Sequence, residues 1–302
     1  MAMEEKTSRQ YISQALCYLV PITLHLIGLY LLHATRWAHS NKIQRLYLVN
    51  LSIAEIVRGV LKFLYPMILI WTGDSRNGAA FYLWMIQTSG GFLWYILVMV
   101  QLTVDRFLEV YLNLRYQIYC TEERTKIGLI VSAALSTIIA IIMCCRLDVD
   151  DFDVTHYILS LYFWPATEIT FLLVASFTYT YLFIKIRANR QKVKRLLQQF
   201  PRERTPTQAE LNRGRNLQKI KKHFYLPSFL ILSFILFWIV PDMTEFFLML
   251  CNKPVPSMTS LYVNISYSLA MTIDALIYVF ASAPVRNHLV KQLSKTCRWM
   301  NQ

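Results

Sequence analysis

Two groups of charged residues interrupt otherwise apolar stretches of this chain, and both are spaced for helix chemistry. Glu55, Arg58 and Lys62 stand at i, i+3 and i+7, which puts them on one helix face. Asp105 and Arg106 stand side by side where another apolar run ends. The chemistry open to such residues is ion pairing and ligand recognition. Glu55 and Arg58 can form an intrahelical pair with no further role, or Arg58 and Lys62 can meet an anionic ligand group. Glu168, Asp242 and Glu245 fall near the ends of later apolar runs, where an acid either borders solvent or lines a pocket. The six histidines are scattered, with no His-Glu-x-x-His spacing and no Cys/His ligand cluster. No metal, no cofactor and no covalent catalysis are therefore expected.

The elements that must carry these residues are long. Seven mostly apolar blocks, about 12–34, 45–71, 80–104, 127–147, 157–184, 224–250 and 257–282, each approach the roughly 20 residues a helix needs to cross a bilayer core about 30 Å thick. Backbone groups in lipid must be paired within their own segment, and the blocks show no period-2 alternation, so helices are expected and a barrel is excluded. The expected fold is an all-α bundle of seven transmembrane helices, residues 12–282. A short amino-terminal tail precedes it (1–11). An amphipathic helix and tail follow (283–302), with Val285, Leu289 and Leu293 on one face. The long polar connection at about 185–223 is expected to extend spans five and six as helices at its two ends.

The net charge of +13 could signal nucleic acid, but the placement of the bases argues for a lipid bilayer instead. Twenty-four of the 31 Lys and Arg fall in the connections on one side, thirteen of them from Lys185 to Lys222. By the positive-inside rule that side is cytoplasmic, which leaves the amino terminus outside and the carboxyl terminus inside. Asp148, Asp150, Asp151 and Asp153 cluster on the outer side.

Several motifs follow one another in a familiar order. Span three ends in Leu102-Thr103-Val104-Asp105-Arg106-Phe107, with Leu114-Arg115-Tyr116 after it. Span two holds Asn50-Leu51-Ser52-Ile53-Ala54-Glu55, and span five Tyr181-x-x-Ile184. Span six holds Phe234-x-x-Phe237-Trp238, and span seven Asp274-Ala275-Leu276-Ile277-Tyr278. The set resembles the rhodopsin-like class of G-protein-coupled receptors over nearly the whole chain, as a divergent member. Phe107 replaces a tyrosine, Asn113 and Ala275 replace prolines, and Glu55 replaces an aspartate. Pro241 sits one residue later than usual, and Phe81 stands near where the outer-bridge cysteine belongs.

The resemblance implies ligand-triggered activation of a heterotrimeric G protein at the plasma membrane. It makes Asp105 the restraint on Arg106, and Arg106 and Leu114 contacts for Gα. It places Phe107, Tyr181, Trp238, Asp274 and Tyr278 in the activation switch, and Glu55 with Asp274 in a polar core. Arg58, Lys62, Thr88, Glu168, Trp238 and Asp242 are candidates for the pocket of an unknown ligand. Thr88 stands where amine receptors carry an aspartate, and span seven has no lysine for retinal, so neither ligand is supported. Cys297, beside the surface helix, is a candidate for acylation. A non-signalling seven-helix protein, a scramblase or transporter, is the alternative.

Overall fold

The computed structural model describes residues 2–35, 42–72, 78–112, 115–146, 159–199, 228–251 and 257–300, and every regular element among them is helical. We number the long helices α1 (Ala2–Ala34), α2 (Lys42–Thr72), α3 (Gly78–Leu112), α4 (Glu122–Arg146), α5 (Trp164–Gln199), α6 (Ser228–Leu250), α7 (Ser257–Ala281) and α8 (Ala283–Met300). Residues assigned to a tail thus belong to α1 from Ala2 onward.

Among the described residues six helices, all but α2 and α8, are long and apolar enough to cross a membrane. The seven apolar blocks predict seven, and α2 is the exception because Glu55, Arg58 and Lys62 crowd its middle. Those charges are not on its surface. Leu51, Glu55, Arg58, Lys62, Pro66 and Leu69 form the buried stripe, while Ile53, Val57, Val60, Leu64 and Met67 form the exposed one. The helix is therefore inverted relative to a soluble amphipathic helix: apolar outside, charged inside.

α1 packs on α2 and α7, and α3 packs on α2, α4 and α5. α3 is the most deeply buried of the apolar helices and α4 the least. Gln101 ties α3 to α4, its amide donating to the Gly128 carbonyl at 2.9 Å and the Ser132 hydroxyl at 2.6 Å. The main core runs along the bundle through Tyr95, Phe171, Phe234 and Trp238. α5 continues as helix to Gln199, as the polar run after Lys185 predicts, whereas the counterpart expected at 209–223 lies outside the described residues. In α8 Val285 is buried and Leu289 packs against the core.

Among the described residues three π turns interrupt this α-helical scheme: Ile86–Gly91 within α3, Leu159–Phe163 just before α5, and Ile235–Ile239 within α6. Such turns concentrate at functional sites, because each displaces side chains that a regular helix would align.

Candidate functional site

Two of these π turns, in α3 and α6, border one cavity of about 420 Å³, and the turn before α5 ends immediately before it. Gln87 and Thr88 reach it from the first and Trp238 from the third, while Trp164 follows directly on the second. The Trp164 indole N–H donates to the Thr88 carbonyl at 3.3 Å, so the turns in α3 and before α5 meet at this wall. Of the predicted pocket residues, Arg58, Lys62, Thr88, Trp238 and Asp242 line the cavity. Glu168 does not: it lies one turn beyond Trp164, fully buried, with its carboxyl against that of Asp242. Thr88 contributes backbone more than hydroxyl, since its Oγ1 donates back to the Trp84 carbonyl at 2.7 Å.

Two cations and two rings form a column in the cavity floor. The Arg58 guanidinium lies 4.0 Å from the Trp238 ring centre, Trp238 stacks on Tyr267 at 4.2 Å, and Lys62 Nζ lies 3.8 Å from the Tyr267 ring centre. A cation desolvated against aromatic faces gains about 2 kcal/mol or more from each such contact. The Tyr267 hydroxyl donates to Asp242 Oδ1, which ties α7 to α6. Lys62 is only 9% exposed and lies over Tyr267, not stretched toward the outer water. The stem of Arg58 depends on Gly91: a Cβ there would come within 2.6 Å of Arg58 Cγ.

Glu55 and Arg58 are paired at 3.3 Å with both side chains buried. One contact does not saturate the guanidinium: Nε and Nη2 have no acceptor among the described residues. The pair and the cavity wall are thus the same arginine. The expected polar core is divided differently. Glu55 goes to Arg58, while Asp274 Oδ2 accepts from the Tyr95 hydroxyl at 2.7 Å. Tyr278 is buried edge-on to His25, whose Nε2 donates to the Met271 carbonyl at 2.9 Å. His25 has no partner at helical spacing in the sequence to give this role away.

The second constellation closes the other end of α3. Arg106 is bound by Asp105 at 2.6 Å and by Glu109 at 2.7 Å, and Asp105 also accepts from the Tyr116 hydroxyl at 2.7 Å. Tyr116 sits in a one-turn helix, Tyr116–Tyr119, and its hydroxyl is pushed well above its ordinary range by burial and by the Asp105 carboxylate. The same two causes push the Cys120 thiol up. Phe107 and Tyr111 pack against Tyr181 of α5, with Phe107 and Tyr181 ring centres 5.0 Å apart. Leu114 lies outside the described residues, as does the side chain of Cys297 on α8. Sequence reasoning missed Glu109, although its i+3 spacing from Arg106 was the signal. Pro241 is the second residue of the regular helix that follows the π turn in α6, and that turn adds a residue between it and the preceding regular turns.

No family model matches this chain, and no curated protein matches it.

Proposed function

We propose that this chain is a seven-helix receptor of the rhodopsin-like class that activates a heterotrimeric G protein. The observation that carries the reading is that the cavity and the Asp105–Arg106 cluster lie at different levels along α3, which borders the one with Phe92 and carries the other. The Asp105–Arg106 pair lies about 21 Å along the helix from Phe92 at the cavity, taking 1.5 Å per residue. Between them run the buried Trp238, Tyr95 and Asp274. A ligand that alters the contacts of Trp238 can favour one packing of this column over another, and so change the equilibrium that frees Arg106 for Gα.

α2 is the seventh span in this reading. Its 31 residues reach about 46 Å, its charges are enclosed by neighbours, and its exposed stripe is apolar enough for lipid. The bases of the connections support an outside amino terminus and a cytoplasmic Arg106 end of α3, and the receptor reading implies the plasma membrane.

The test is nucleotide exchange on a panel of purified G proteins by the full chain in lipid nanodiscs. Exchange above that of empty nanodiscs is expected, with Arg106→Ala losing essentially all of it at unchanged surface expression. Exchange by that variant equal to the wild type would sink the role of Arg106. Lipid scrambling in proteoliposomes without exchange on any G protein would favour the non-signalling alternative.

A further inference from the structure

The charges of the cavity are sorted by helix. Among the described residues, both cations that line it, Arg58 and Lys62, come from α2, and both acids, Asp242 and Glu245, come from α6. These two helices do not pack extensively on each other, so the cavity lies between a basic wall and an acidic one. Unused capacity is present on both sides. Arg58 is fully buried, yet its Nε and Nη2 have no acceptor among the described residues. Buried donors without acceptors are costly; both atoms are enclosed rather than open to the cavity, so the Arg58 head must turn toward it for an ionised oxygen to recover that cost through charge-assisted hydrogen bonds. Lys62 touches the rings of Tyr18, Trp238 and Tyr267 but makes no ion pair among the described residues. On the acidic wall Asp242 is engaged by Tyr267, whereas no hydrogen bond or ion pair occupies Glu245 among the described residues.

These features select a charge type. A plain anion would gain Arg58 and Lys62 but face Asp242 and Glu245. A plain amine would gain the acids and face the two cations. A molecule with both charges satisfies both walls. The remaining lining is aromatic and amide, including Trp84, Trp164, Gln87 and Asn264, which suits a flat apolar body with a few polar atoms. At about 420 Å³ the cavity lies at the small end of ligand sites, which span roughly 300–1,000 Å³.

We propose that the cavity binds a small zwitterion, an amino acid or close derivative. Its carboxylate meets Arg58 and Lys62, its ammonium meets Glu245 and Asp242, and its side chain packs among the tryptophans. The assignment deepens the receptor reading and rests on it for the signalling consequence, though not for binding.

The experiment uses the full chain in lipid nanodiscs with no G protein present, and reads the thermal midpoint. The probes are the twenty standard amino acids and, for the aromatic ones, their acid-only and amine-only counterparts: tryptophan against indole-3-propionate and tryptamine, phenylalanine against 3-phenylpropionate and phenethylamine. At least one amino acid is expected to raise the midpoint, with its single-charge counterparts at least about tenfold weaker. Arg58→Gln removes half of a buried pair and can fail to fold, so Lys62→Gln and Glu245→Gln carry the test. Each should weaken the amino acid about tenfold, and Glu245→Gln should not weaken the acid-only counterpart. No shift with any amino acid, or equal shifts with acid-only or amine-only counterparts, would overturn the proposal. Selective binding of an amino acid that leaves nucleotide exchange unchanged would keep the site and remove the receptor reading. Exchange driven only by a ligand of single charge would do the reverse.

Discussion

Arg58 and Arg106 are both buried arginines of the bundle, and they are held in opposite ways. Arg106 is gripped by two carboxylates at 2.6 and 2.7 Å, and one of those is itself fixed by the Tyr116 hydroxyl. Arg58 has one carboxylate at 3.3 Å, a ring beneath it and two nitrogens without acceptors. The lesson is one of capacity. A guanidinium with both terminal nitrogens taken by acids is restrained, even though its Nε has no acceptor among the described residues, and work is needed to release it. A guanidinium held in place largely by ring faces is positioned but still receptive. One arginine suits a lock and the other a binding site.

The largest expected effect probes the weaker pair. Glu55→Gln and Arg58→Gln should each destabilise by about 3–5 kcal/mol, because each strands a buried charge, and the double variant should recover much of the loss. Thermal denaturation in nanodiscs measures the cycle. Additive losses would mean that Glu55 and Arg58 do not support each other, and the contrast with Arg106 would narrow. Next is Gly91→Ala, whose methyl would displace the Arg58 stem at a cost of about 1–3 kcal/mol. A neutral result in the same denaturation assay would show that Arg58 has room to move. At the other end, under the receptor reading proposed above, Glu109→Gln and Tyr116→Phe each remove one restraint worth about 1 kcal/mol, so basal nucleotide exchange should rise about fivefold in each. Unchanged basal exchange in both would leave Asp105 as the sole restraint that matters. The smallest effect should come from mild reductant: Cys17, Cys120, Cys144, Cys145 and Cys251 are free, so the thermal midpoint should not fall.

The apolar helices were legible as runs of residues, since spanning length and low charge leave a signal in composition alone. The pairing of Asp105 with Arg106 was legible from adjacency. α2 was harder, because three charges mid-helix look the same whether they face lipid, water or neighbours, and only packing decides. Glu109 was hidden among ordinary boundary acids: its value comes from a rotamer of Arg106 that can satisfy two carboxylates at once. The π turns left no trace at all. One extra residue in a turn costs little and has no composition of its own, so Ile86–Gly91 and Ile235–Ile239 could not be read in advance.

Those turns also change how positions on this chain should be counted. One inserted residue is about 100° of rotation, so the two halves of α3 are out of phase with a single helical wheel. Counting up from Arg106 in regular turns lands on Thr88, but the turn at Ile86–Gly91 intervenes. The hydroxyl found there is folded back onto its own helix, while the neighbouring Gln87 also borders the cavity. In α6 the same offset separates Trp238 from Pro241. Any comparison of pocket residues with another bundle therefore needs a one-residue insertion in both helices. Without it, side chains that face the ligand would be matched to side chains that face the helix next door.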